Sequence, residues 1–218
     1  NIADSVILDG ITIADTTTIG TATYGVPWSA DGKNGEPVSG GCMDIRNSSP
    51  LIRNVRFENC SAIGGNGTSV PDSNVYSYQM PDGGWGGYAH GGAVNIGTNS
   101  SPVFKNCQFI NCLAKGGNGG DSKRGYGGSW GDPNKDVEHK WENYAQWPNP
   151  SDYDQDFGYK PLSFYSGNGG AVFCAAGSNP SFEKCLFGNN RAVGGLSGIG
   201  GVGGPNVHYI LDSFGGAV

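Results

Sequence analysis

A stretch of about 28 residues occurs three times in this chain, and a repeat restricts the possible folds more than composition does. The clearest copy runs from Gly91 to Gly119; an earlier one spans Gly40 to Gly67 and a later one starts at Gly169. Counted from the proline of each copy (Pro50, Pro102, Pro180), plus 7 is Phe57, Phe109 and Phe187. Plus 9 is Asn59, Asn111 and Asn189, and plus 12 is Ala62, Ala114 and Ala192. Plus 2 is apolar (Ile52, Phe104, Phe182), plus 5 is Val55, Cys107 or Cys185, and plus 3 is charged (Arg53, Lys105, Glu183).

The apolar residues at plus 5 and plus 7 flank Arg56, Gln108 and Leu186 at plus 6, which is mainly strand periodicity. No window shows the three-and-four spacing of an amphipathic helix. The unit is too short for a propeller blade and has no helix for a leucine-rich or ankyrin unit. It suits one coil of a parallel β-helix, in which coils stack about 4.8 Å apart. Equivalent residues then lie above one another. Phe57, Phe109 and Phe187 form a ring stack, and Asn59, Asn111 and Asn189 form a structural amide ladder.

Residues 1–15 read as a degenerate coil, with Ile11 and Ile13 in the places of Cys107 and Phe109, and Asp15 in that of Asn111. Further coils fall near 40–67, 91–120 and 169–200, and Gly215-Gly216-Ala217-Val218 begins another, so the chain reads as part of a longer solenoid. Insertions near 16–39, 68–90, 121–168 and 201–214 leave and re-enter at equivalent points, which places them on one edge. The chain's 40 glycines cluster at these junctions and suit backbone with positive φ. A net charge of −6 argues against nucleic-acid partners, and no apolar run reaches membrane-spanning length.

The Gly-Gly-Ala-Val at 91–94, 169–172 and 215–218, with Gly-Gly-Cys-Met at 40–43, resembles the Gly-Gly-Ala-Ile repeat of chlamydial-type polymorphic outer-membrane proteins. Phe57-Glu58-Asn59-Cys60 and Phe187-Gly188-Asn189-Asn190 resemble their Phe-x-x-Asn tetrapeptide, with Cys60 and Cys112 departing from it at the fourth position. Such repeats also recur in large secreted bacterial proteins. The resemblance covers the coils and leaves the insertions out; it implies an all-β fold, a right-handed parallel β-helix, in a secreted or cell-surface setting, to which the spacing adds long loop insertions on one edge. It implies adhesion only loosely and supplies no catalytic residues.

Four cysteines are disulfide candidates. Cys60 and Cys112 share one position of successive coils, as do Cys107 and Cys185. The second pair points inward, where a thiol stack is an equal alternative. Cys42 and Cys174 lie two coils apart, too far to bridge one another. All five tryptophans fall in insertions, so Trp28, Trp85, Trp130, Trp141 and Trp147 are the candidate binding edge for glycans or proteins. The plainer reading makes them a satellite core that holds long loops in place. Asp152, Asp154 and Asp156 alternate and are the candidate calcium ligands. A solvated acidic loop is the simpler reading, because Phe157 precedes the glycine that an EF-hand wants directly after its third ligand. No other cofactor is implied.

The function expected is therefore a non-enzymatic extracellular or surface scaffold, adhesin-like, with an aromatic-rich interaction edge. Its expected partners are the rest of the same long chain, neighbouring surface proteins and glycans. A carbohydrate-binding or polysaccharide-degrading β-helix is the alternative, weakened because the coil strands carry scarcely any Asp beyond Asp44. A sheath, filament or surface-layer subunit is the second alternative, since open coil ends are sticky.

Overall fold

The computed structural model describes residues 6–24, 32–69, 83–121 and 167–196, and the statements below refer to these. The first pass of the chain forms β1 (Ile7–Asp9), β2 (Thr12–Ala14) and β3 (Thr17–Ile19). A short antiparallel pair follows, β4 (Ala22–Tyr24) with β5 (Asn34–Gly35). The second pass is β6 (Val38–Ser39), β7 (Met43–Ile45), β8 (Leu51–Arg53), β9 (Arg56–Glu58) and β10 (Ser61–Ile63). The third is β11 (Ala89–His90), β12 (Val94–Ile96), β13 (Val103–Lys105), β14 (Gln108–Ile110) and β15 (Leu113–Lys115). The fourth is β16 (Gly167–Asn168), β17 (Val172–Cys174), β18 (Ser181–Glu183), β19 (Leu186–Gly188) and β20 (Arg191–Val193).

Apart from β4–β5, every pairing among the described residues is parallel, and each joins one pass to the next. The sheets are β1-β8-β13-β18, β2-β9-β14-β19, β3-β10-β15-β20, β6-β11-β16 and β7-β12-β17. This is the pairing that a parallel solenoid requires. The register follows the repeat: Ile13 pairs with Phe57, Phe57 with Phe109, and Phe109 with Phe187. Paired structure also reaches beyond the coil limits read from sequence, because β6, β11 and β16 lie in stretches assigned there to insertions.

The strands are short because the chain turns after almost every third residue. Between the first and second strands of the repeat the turn residue is Gly10, Asn54, Asn106 or Lys184; between the second and third it is Asp15, Asn59, Asn111 or Asn189. All have positive φ, between 52° and 70°. Asn and Asp enter that region more readily than other side-chain-bearing residues, so the backbone demands them before any ladder forms. The ladders then add bonds. Asn59 Nδ2 donates to Asp15 Oδ1 at 2.8 Å, and Asn111 Nδ2 to Asn59 Oδ1 at 3.4 Å. A parallel ladder runs from Asn106 to Asn54 to Asp9, each step 2.8 Å.

In cross-section the interior tapers. At the wide end Phe109 stacks between Phe57 and Phe187, with centroids 5.0 and 4.7 Å away, while Phe104 stacks on Phe182 at 4.9 Å. Nearer the narrow end Ala62, Ala114, Ala89 and Val38 form a separate small cluster between the β3-β10-β15-β20 and β6-β11-β16 sheets. Beyond it glycine backbone lies directly against backbone. Outgoing and returning segments bond directly: Glu36 N to Thr21 O (2.7 Å), Gly65 N to Glu36 O (2.9 Å), Gly87 N to Gly65 O (2.8 Å) and Gly117 N to Gly87 O (2.8 Å). The same segments also bond along the stack, as in Gly64 N to Lys115 O and Gly67 N to Asn118 O, both 2.8 Å. A Cβ on Gly65, Gly87 or Gly117 would overlap a facing carbonyl. These glycines have φ outside the left-handed region, so close backbone approach, not positive φ, selects them.

Candidate functional site

Gly40, Gly91 and Gly169 do take positive φ, at +70°, +67° and +64°. They turn the chain from the β6-β11-β16 sheet into the β7-β12-β17 sheet, and a Cβ on Gly91 would overlap the Val94 carbonyl. On β12, Val94 and Ile96 are buried in the core, so Asn95 between them faces outward. It is nevertheless only 6% exposed. Phe173, paired with Asn95, and His90 of the adjoining sheet bring their rings together at 3.9 Å, so the outer faces of the two sheets converge in a concave corner.

Six residues build this corner. His90 points outward, since its neighbour Ala89 lies in the interior cluster. Its imidazole is stacked between Tyr88 (4.4 Å, 28° between planes) and Phe173 (3.9 Å, 14°). Phe173 lies in the column that holds Asp44 and Asn95 on the two preceding passes. Asn95 Nδ2 donates to Asp44 Oδ1 at 2.8 Å, and Arg46 holds the other carboxylate oxygen through Nε at 2.8 Å and Nη2 at 2.6 Å. The Asp44 bond raises the Arg46 pKa, keeping the guanidinium charged. Burial between the rings depresses the pKa of His90 to about 4, so the imidazole is neutral at physiological pH. It makes no hydrogen bond among the described residues, and with both faces covered its edge is the part left for a ligand. The signal for this corner in the sequence is the lone His and Phe at 90 and 173, in columns otherwise filled by Ser39, Asn168, Asp44 and Asn95.

The candidates read from sequence fall elsewhere. Trp28, Trp130, Trp141, Trp147, Asp152, Asp154 and Asp156 lie outside the described residues. Trp85 is half-buried on a returning glycine segment, its backbone N–H donating to Asn34 Oδ1 at 2.8 Å. The expected Cys60–Cys112 bridge is replaced by a Cys42–Cys60 disulfide within one pass, Cα atoms 5.5 Å apart. Cys42 follows the Gly40-Gly41 turn, which folds against β10: a Cβ on Gly41 would crowd the Ser61 backbone. That approach across the cross-section, invisible to stacking arguments, is what brings Cys42 to Cys60. Cys107, Cys112 and Cys185 are free thiols, so the Cys107–Cys185 pair is a stack and not a bridge. Burial raises the pKa of Cys107 and Cys112, which leaves both protonated and poorly nucleophilic.

Several other charged side chains of the strand faces pair with their neighbours. Arg53 meets Asp9 at 2.8 Å, Arg56 meets Glu58 at 2.8 Å, and Lys105 meets Glu183 at 3.1 Å, all partly or well exposed. Such pairs contribute about 0–1 kcal/mol each. Among the described residues no group of three His, Cys, Asp or Glu is placed to hold a metal, and no helix is long and apolar enough to cross a membrane. Compared with known proteins, the chain matches no family model, no curated protein and no solved structure.

Proposed function

We propose that this chain is a segment of a right-handed parallel β-helix, of the kind found in polymorphic outer-membrane proteins, serving as a non-enzymatic extracellular or cell-surface scaffold. The observation that carries this reading is how the polar groups of the strand faces are used. Asp9, Asn54 and Asn106, and likewise Asp15, Asn59 and Asn111, bond from pass to pass, and Arg56 bonds both Glu58 and Gln108. Polar groups used in this way hold one pass to the next, which is what a rigid scaffold requires. The Cys42–Cys60 disulfide fits an oxidising, extracellular setting.

The test combines two measurements on the purified chain. One is release of reducing ends or unsaturated products from pectin, polygalacturonate, xylan and β-glucan, with and without Ca²⁺. The other is retention of the chain on bacterial or host cell surfaces. Surface retention without turnover is the expected result; turnover of any of these polymers sinks the scaffold reading.

A further inference from the structure

We propose that the concave corner formed by Tyr88, His90 and Phe173 with Asp44, Arg46 and Asn95 binds a neutral glycan, holding a pyranose ring against the aromatic stack. The repeat itself supplies the strongest reason. Side chains that the fold needs recur from pass to pass, as Phe57, Phe109 and Phe187 do. The corner's rings do not recur: His90 is flanked in its sheet by Ser39 and Asn168, and Phe173 follows Asp44 and Asn95. Stacking of passes therefore does not call for these rings, yet three of them meet at this corner.

The chemistry of the corner then selects the ligand. Tyr88 and Phe173 each have one face against His90 and are half-buried, which leaves part of each ring to meet the C–H face of a sugar. The stack is already ordered by its own contacts, so little side-chain freedom is lost on binding. Beside it stands a hydrogen-bonding fork: the Asp44 carboxylate accepts, the Arg46 guanidinium donates, and a neutral imidazole edge does one of each. Vicinal hydroxyls, each both donor and acceptor, match that set. Charge argues against other ligands. Asp44 and Arg46 cancel, His90 is uncharged above about pH 4, and the chain carries a net charge of −6, so uronates, phosphates and acidic peptides find no attraction. This inference rests on the scaffold reading in one respect, that the glycan is held and not cleaved.

The test is calorimetric titration of the disulfide-bonded chain with cello-, xylo-, manno- and chitohexaose, and with oligogalacturonate for comparison. At least one neutral oligosaccharide should bind saturably, with Kd of about 1 mM or tighter. Phe173→Ala and His90→Ala should each weaken it about tenfold, while Phe173→Tyr keeps it, with melting and circular dichroism unchanged. Should Phe173→Ala disturb the fold, Arg46→Ala at the exposed rim takes its place, with a loss of about threefold expected. The site is overturned if no neutral oligosaccharide binds, if binding survives all of these changes, or if oligogalacturonate binds in preference. Binding followed by cleavage would uphold the site and sink the scaffold reading. No binding and no cleavage by an intact fold would do the reverse.

Discussion

The two ends of the cross-section are held together in opposite ways. At the wide end side chains fill the interior, with Phe109 fully buried between two other rings and a disulfide across the pass. At the narrow end backbone meets backbone, and the interior consists of N–H and C=O groups of glycine segments bonded along and across the stack. The wide end draws on apolar burial and ring packing, which tolerate a change of shape if volume is kept. The narrow end depends on having no side chain, and its many hydrogen bonds each add only about 1 kcal/mol net. One design is adjustable, the other all-or-none.

Phe109→Ala should have the largest effect, lowering stability by about 4 kcal/mol in urea unfolding through the cavity it opens. Phe109→Leu, which keeps much of the volume, should recover more than half of that; equal losses would break the claim that the wide end is adjustable. Gly117→Ala comes next, at about 3 kcal/mol or outright failure to fold, because its Cβ would overlap the Gly65 carbonyl and neither backbone can yield alone. Gly177→Ala is its control. Unlike Gly117 it has positive φ, +81°, but a Cβ there meets nothing within 4 Å, so backbone strain alone costs about 1 kcal/mol. If the two glycine variants unfold alike, close packing is not what the narrow end depends on.

Reducing Cys42–Cys60, which are separated by 18 residues, should cost about 3 kcal/mol. Cys42→Ser should match the reduced protein in the same unfolding assay, and a larger loss on reduction would implicate a second bridge. The last effect is acid sensitivity at the corner. His90 titrates at about 4 when folded against 6.5 for an ordinary histidine, so below pH 6.5 the unfolded chain takes up a proton that the folded one refuses. Its contribution is complete above about pH 6.5 and declines as pH falls towards 4; melting temperatures of His90→Gln should lack that slope. From the acid end of this window downward Asp9 and Glu58, whose pKa values are lowered by their bonds to Asn54 and Arg53 and to Arg56, add a further loss as they protonate.

The stacked register was legible in the sequence because a repeat is a statement about which residues sit above one another. Ile13, Phe57, Phe109 and Phe187 pair in the order their spacing dictates, and Ala62 pairs with Ala114. What happens across a pass was not legible. The Cys42–Cys60 bridge, the glycine-to-glycine contacts and the convergence of His90 with Phe173 all join residues from different positions of the repeat. Their separation depends on turn angles at residues such as Gly91, and periodicity carries no information about an angle. Sequence thus determined the parallel stacking and the ladders, since both are one-dimensional. Only the tertiary structure decided the taper from Phe to Ala to Gly, the disulfide partner and the concave corner, because these depend on how each pass bends back towards itself.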